Sequence, residues 1–97
     1  MNNFGRRIRE LRKTEGLLLR QVAAYLETDT AHISKLERSE RKAKKEQVMK
    51  FALLFSTDYN ELLTLWLSDQ IYELVKNEEN AMQALDIVKT EITNKNI

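Results

Sequence analysis

The sequence contains no cysteine, no proline and only two glycines in 97 residues. Without cysteine the chain can form neither disulfides nor thiolate metal sites, and a single histidine leaves no imidazole cluster for a catalytic metal. The scarcity of turn-forming residues, together with abundant Leu, Lys, Glu, Arg and Ala, favours an all-helical chain. We therefore expect an all-α protein with no metal site and no cofactor.

Long apolar runs are absent as well. The start, MNNFGRRIRE, lacks the apolar stretch of a signal peptide, and the run from Phe51 to Phe55 is far shorter than a membrane span. We expect a cytoplasmic protein that makes no contact with a membrane. The apolar fraction of 42% is enough for one small core, which argues against a two-domain enzyme.

The charge present is divided unevenly along the chain. Residues 1–57 contain thirteen Lys and Arg against seven Asp and Glu, a net charge of +6, whereas residues 58–97 contain three against eight, a net charge of −5. Such a division indicates that the first half meets a polyanion and the second does not. The alternative is solubilising charge that happens to be unevenly scattered.

Apolar residues recur at helical spacing along the chain. Phe4, Ile8 and Leu11 lie on one stripe of a first helix, and Gly16 is a typical C-terminal stop. The second and third predicted helices are short and about three residues apart, which is a helix-turn-helix pattern. Asp29 is a candidate cap for the third helix.

Three further helices are predicted after a charged stretch at residues 39–46. A fifth helix begins after Asp58 and extends to about Lys76, and a sixth begins at Asn77. Residues 62–75 include too many apolar side chains for one stripe, so a second face must be covered, either by the sixth helix alone or by a second subunit. The candidate anchors of a dimer interface are Trp66, Ile71, Tyr72 and Val75.

These residues resemble the phage-repressor and Cro-like (XRE) family of helix-turn-helix domains. The resemblance spans Phe4 to about Leu63 and rests on IRELR in the first helix, GLLLRQVAAYL through the second, AHISKLER in the third and VMKFALLFSTDYNELL in the fourth and fifth. It implies a five-helix DNA-binding domain over residues 1–63. Residues 64–97 would extend the fifth helix and add a sixth, as a dimerisation element.

The chain departs from the family at several positions. Glu27 and Ser39 stand where family members usually have glycine, and Leu19 replaces the polar residue that commonly opens the second helix. If Glu27 adopts a left-handed conformation, the cost is about 1 kcal/mol. At Leu19 only the backbone N–H is left to meet a phosphate.

The resemblance implies that the third helix reads DNA in the major groove. Its base-reading positions would be Thr30, Ala31, Ser34 and Lys35. The positions expected to bind phosphates are Leu19, Arg20, His32, Arg38, Arg41, Lys42, Lys44 and Lys45. For His32 a contact on the helix surface is the alternative. The alternative is that both sets are merely a solvated helix face and a solvated loop. By the same resemblance, Arg12 and Glu37 form a structural ion pair, so Glu37 braces the fold and does not read bases.

The sequence thus predicts a homodimeric regulator, a repressor, that binds double-stranded DNA at a palindromic operator without a small-molecule ligand. It also resembles small XRE regulators found beside restriction-modification methyltransferase genes. The alternative is an antitoxin-like or adaptor protein whose C-terminal helices bind a protein partner. An enzyme is not expected, because the carboxylate pairs of this chain lie at predicted helix starts, where capping and dipole effects account for them.

Overall fold

The computed structural model describes residues 2–95, which contain six α-helices and no β-strand. The predicted all-α class is therefore confirmed. The helices are α1 (Asn3–Thr14), α2 (Leu19–Tyr25), α3 (Thr30–Glu37), α4 (Lys45–Leu54), α5 (Tyr59–Val75) and α6 (Ala81–Lys95).

Helices α1 to α5 enclose one apolar core. The Phe51 ring lies at its centre: it meets the ring of Phe4 edge-on, with centroids 6.0 Å apart, and stacks on Phe55 at 6.1 Å. Helix α5 packs against α1 and α4, while α3 packs against α1 and α2. Because Ile33 and Leu36 anchor α3 in the core, its opposite side faces outwards.

Helices α1 to α4 end in the same way, at a residue in the left-handed conformation. These residues are Gly16, Glu27, Ser39 and Ser56, with φ between 50° and 67°. Each left-handed residue donates its backbone N–H to the carbonyl three positions earlier, and the next residue donates its N–H to the carbonyl five positions before it. The distances are 2.9–3.3 Å, and the arrangement is the Schellman pattern. The stop at Gly16 is confirmed, and Glu27 does adopt the costly conformation.

The amino terminus of α1 joins α3 to α5. Gly5 lies against the end of α3, where a Cβ would be only 2.6 Å from the Glu37 carbonyl oxygen and 2.7 Å from that of Leu36. The buried Asp69 carboxylate, on α5, accepts hydrogen bonds from the first two backbone N–H groups of α1, at 3.1 and 2.8 Å. Glycine at position 5 thus permits the close approach of α1 to the end of α3, and Asp69 accepts hydrogen bonds from N–H groups of α1 that have no acceptor within the helix.

The predicted start of the sixth helix at Asn77 is wrong. Helix α6 begins at Ala81, because carbonyls in the last turn of α5 accept hydrogen bonds from the backbone N–H groups of Lys76 and Glu78. Asn77 therefore lies in the turn that ends α5. No described residue of α6 is buried, and its exposed large apolar side chains are Met82, Ile87, Val88 and Ile92.

Candidate DNA-binding site

The outward side of α3 carries the four positions that the resemblance assigns to base reading. Thr30, Ala31 and Lys35 are exposed on it, and Ser34 is half-buried. The side chain of Asp29 accepts a hydrogen bond from the His32 N–H at 2.7 Å, which confirms Asp29 as the cap of α3. Within residues 2–95 no carboxylate forms a salt bridge with Lys35, so its ammonium group is available to a ligand.

Arg38, one turn after Ser34, joins the helix to the segment that follows it. Its Nη1 donates to the Ser34 hydroxyl at 2.9 Å, and its Nε contacts the Glu40 carboxylate. No sequence signal singles out Glu40. The carboxylate partly neutralises Arg38, and about half of each side chain is exposed, so solvent or a phosphate can compete for the contact.

Residues 39–45, here called the basic segment, connect the end of α3 to the start of α4. Arg41, Lys42, Lys44 and Lys45 are exposed in it, whereas Ala43 is buried. Burial of one residue turns the chain so that its neighbours point away from the core. The structure therefore gathers four exposed cations next to the C-terminal end of α3.

His32 contacts α4. Its ring Nε2 lies 3.2 Å from the side-chain nitrogen of Gln47. Because Gln47 Oε1 accepts a hydrogen bond from the Lys44 N–H at 2.9 Å, its amide nitrogen faces His32 and donates to the ring. Half-buried His32 thus links α3 to the start of α4. Sequence reasoning missed Gln47, although Gln three residues after a cap is a recognised helix-start signal.

The start of α2 repeats this capping arrangement. Gln21 Oε1 accepts a hydrogen bond from the Leu18 N–H at 2.8 Å. The Leu19 side chain packs against the core, so this residue can offer an outside ligand only its backbone N–H, which in the first turn has no acceptor within the helix. Arg20 is exposed.

Arg12 and Glu37 form a bidentate ion pair. Arg12 Nε and Nη2 donate to the two carboxylate oxygens of Glu37 at 2.7 and 3.1 Å, and Nη1 donates to the Leu17 carbonyl oxygen at 3.1 Å. The side chains are 14% and 5% exposed. The hydrogen bond to Glu37 raises the pKa of the Arg12 guanidinium, while desolvation lowers it. The Glu37 carboxylate is thus fully engaged inside the protein and turned away from the outer side of α3.

The four residues predicted at a dimer interface lie at different places on α5. Trp66 is half-buried and donates its indole N–H to the Ala43 carbonyl oxygen at 2.8 Å. Tyr72 and Ile71 are 64% and 47% exposed, and Val75 is half-buried. Helix α6 therefore leaves a large part of this apolar surface uncovered.

The described residues offer neither a metal site nor a membrane span. Within residues 2–95 there is no group of three or more His, Cys, Asp or Glu side chains that could hold a metal ion. Among the helices described, none is long and apolar enough to cross a membrane.

Comparison with known proteins identifies the family. Residues 3–65 match the family described as helix-turn-helix domain, which occurs in XRE-like regulators. No curated protein and no solved structure matches the chain. The match covers α1 to α4 and the first part of α5, and it indicates DNA binding and a role in transcription regulation. The chain belongs to the helix-turn-helix domain family.

Proposed function

We propose that this protein is a sequence-specific transcription regulator that binds double-stranded DNA and acts as a repressor. The observation that carries the proposal is the outward side of α3, whose small residues lead directly into the basic segment. Small side chains allow a helix to approach base edges, and adjacent cations neutralise phosphates. Repression requires only that the bound protein occupy a promoter, so this surface is sufficient for it.

Base reading is assigned to the outward positions of α3. Lys35 can donate to O6 and N7 of guanine, while Thr30 and Ala31 can contact the methyl group of thymine. The Ser34 hydroxyl already accepts a hydrogen bond from Arg38, and it can still donate its own proton to a base acceptor. Lys35 therefore has the largest expected share of the sequence preference.

Phosphate binding is assigned to the basic segment, Arg20, the backbone N–H of Leu19 and the His32 ring. The four exposed cations of the segment need no rearrangement to reach solvent. Each phosphate neutralised contributes about −0.9 to the slope of log affinity against log salt. Arg38 contributes only if a phosphate displaces Glu40 from its guanidinium.

A homodimer on a palindromic operator is the proposed assembly. Exposed apolar side chains on the second half of α5, among them Ile71, Tyr72 and the 80% exposed Leu74, support it, because soluble monomers rarely expose large apolar patches. A twofold axis between subunits would place two α3 helices one turn of DNA apart. Light scattering coupled to size exclusion tests this assembly, and a monomer at micromolar concentration refutes it.

The same apolar surface supports a second candidate function. In an antitoxin-like or adaptor protein, α5 and the uncovered side chains of α6 would bind a protein of different sequence, and the helix-turn-helix would serve autoregulation. This alternative also requires DNA binding, but it predicts a 1:1 complex with that protein in place of a homodimer. The link to restriction-modification genes stays a prediction.

Random-site selection on duplex DNA tests the function directly. A palindrome with half-sites about one helical turn apart is expected, and no enrichment would refute sequence-specific binding. Lys35→Ala should then relax the preference at one position per half-site, whereas Lys44→Ala should weaken binding to all sequences alike and reduce the salt slope by about 0.9. Lys89→Ala, an equal loss of charge on α6, is the control and should change neither property.

A further inference from the structure

Trp66 is the only tryptophan in the chain and lies on α5, one residue beyond the stretch that matches the family. Its indole N–H donates to the Ala43 carbonyl oxygen at 2.8 Å. Ala43 lies in the basic segment and is 3% exposed, although the lysines on either side of it are exposed. The hydrogen bond therefore fastens the basic segment to α5.

A second contact involves the neighbouring residue. Lys42 Nζ lies 5.8 Å from the centroid of the Trp66 ring, within the range of a cation–π interaction. Trp66 thus holds two consecutive residues, one through its backbone and one through its side chain. Between the end of α3 at Glu37 and the start of α4 at Lys45 the chain is not helical, so these contacts help to determine where the intervening cations lie.

We propose that Trp66 is a positioning residue for DNA phosphate binding, which holds the basic segment in the conformation that meets the duplex. The inference rests on the proposed function, because that function assigns phosphate contacts to this segment. If Trp66 released the segment, the conformational entropy lost in ordering its cations on DNA would weaken the complex, and a cation that stayed disordered would no longer neutralise its phosphate.

Because Trp66 lies on α5, it links the basic segment to the helix that carries the exposed apolar side chains. The exposed apolar side chains of Ile71 and Tyr72 lie on the same continuous helix. A subunit contact made through these side chains therefore acts on the helix that also carries the anchor of the basic segment. Substitutions of Trp66 are therefore expected to change DNA affinity although no DNA contact is assigned to Trp66 itself.

Trp66→Phe tests the proposal in the full chain. Phe keeps an aromatic ring but cannot donate to Ala43. With a fluorescein-labelled duplex that carries the selected site, anisotropy titrations over about 50–200 mM salt should show about tenfold weaker binding and a salt slope reduced by about one contact, or 0.9. The control is Tyr59→Phe, which removes a polar group from the aromatic residue at the start of α5 and should leave affinity and slope unchanged.

The thermal unfolding curve separates positioning from folding. Titrations are done well below the Tm of each variant, so that a merely less stable protein would retain its affinity and salt slope. If Trp66→Phe does not fold, the test is instead the tryptophan fluorescence of the wild-type protein and of Lys42→Gln during the DNA titration. Because Trp66 is the single tryptophan, its emission should change when the duplex engages Lys42, and this change should disappear in Lys42→Gln.

The possible results are distinguishable. The positioning role is overturned if Trp66→Phe binds DNA with the affinity and salt slope of the wild type. It is also overturned if the tryptophan emission of the wild-type protein stays constant while the anisotropy shows that the duplex is saturated. Absence of an anisotropy change with wild-type protein refutes the proposed function instead. Weaker binding with a reduced slope, together with an emission change that depends on Lys42, supports the inference.

Discussion

Replacing Glu37 by Ala tests whether this carboxylate braces the fold. In the substituted protein the Arg12 guanidinium, whose side chain is only 14% exposed, would keep just the Leu17 carbonyl oxygen among its present partners. Removing one member of a buried ion pair costs about 3–5 kcal/mol, and the residual exposure of Arg12 places the expected loss near the lower limit. Glu37→Ala is thus expected to destabilise the protein by about 3 kcal/mol.

Glu40→Ala is the matched control. Glu40 also contacts an arginine, Arg38, but both side chains are more than half exposed, and such surface pairs contribute about 0–1 kcal/mol. Circular dichroism at increasing temperature gives the Tm of each variant. Since 1 kcal/mol corresponds to about 4–8 °C in a domain of this size, Glu37→Ala should lower the Tm by about 12–24 °C, and Glu40→Ala by less than about 8 °C.

A double variant sharpens this test. Arg12→Met combined with Glu37→Leu removes both charges and fills the site with apolar groups, which is often neutral or stabilising for a buried pair. The double variant should therefore be more stable than Glu37→Ala. The reasoning is refuted if Glu37→Ala leaves the Tm unchanged and abolishes DNA binding, since that result would make Glu37 a direct contact to the ligand.

Two further predictions concern the amino terminus of α1. Gly5→Ala places a methyl group 2.6 Å from the Glu37 carbonyl oxygen, and the overpacking should cost about 1–3 kcal/mol; a urea midpoint at or above that of the wild type would contradict this. Asp69→Ala removes the acceptor of two α1 N–H groups and should cost about 0.5–2 kcal/mol in thermal unfolding. Asp69→Asn keeps an amide oxygen as acceptor and should lose less; equal losses would refute the capping role.

The sequence predicts the features of this fold that depend on local pattern. Apolar spacing predicts the helices, Gly16 and Asp29 are local signals for a helix end and a helix start, and the burial of Ile33 and Leu36 follows from their spacing. The outward side of α3 therefore follows from the amino-acid sequence alone. The start of α6 does not follow from the sequence, because Asn77 lies in the turn that ends α5 and the helix begins only at Ala81.

Features that depend on the approach of distant segments are not predictable in the same way. Asp69 meets the start of α1 across more than sixty residues of sequence, and no local pattern distinguishes it from any acidic residue on a helix surface. Aromatic character places Trp66 at a predicted subunit interface, whereas its indole N–H bonds to the basic segment of its own chain. Both contacts depend on how α5 packs, which periodicity alone does not determine.

The scarcity of glycine has an energetic consequence for the helix-turn-helix. Glu27 and Ser39 adopt left-handed φ angles of 58° and 65° at the ends of α2 and α3, and such conformations cost about 1–2 kcal/mol for each non-glycine residue. That cost is a substantial fraction of the stability of a typical domain, which is about 5–15 kcal/mol. The geometry of α2 and α3 must therefore be maintained by tertiary contacts, among them the burial of Ile33 and Leu36, the ion pair of Glu37 with Arg12 and the packing of α3 on Gly5. It follows that α1, to which no base contact is assigned, is as necessary to the proposed DNA-binding surface as α3 itself.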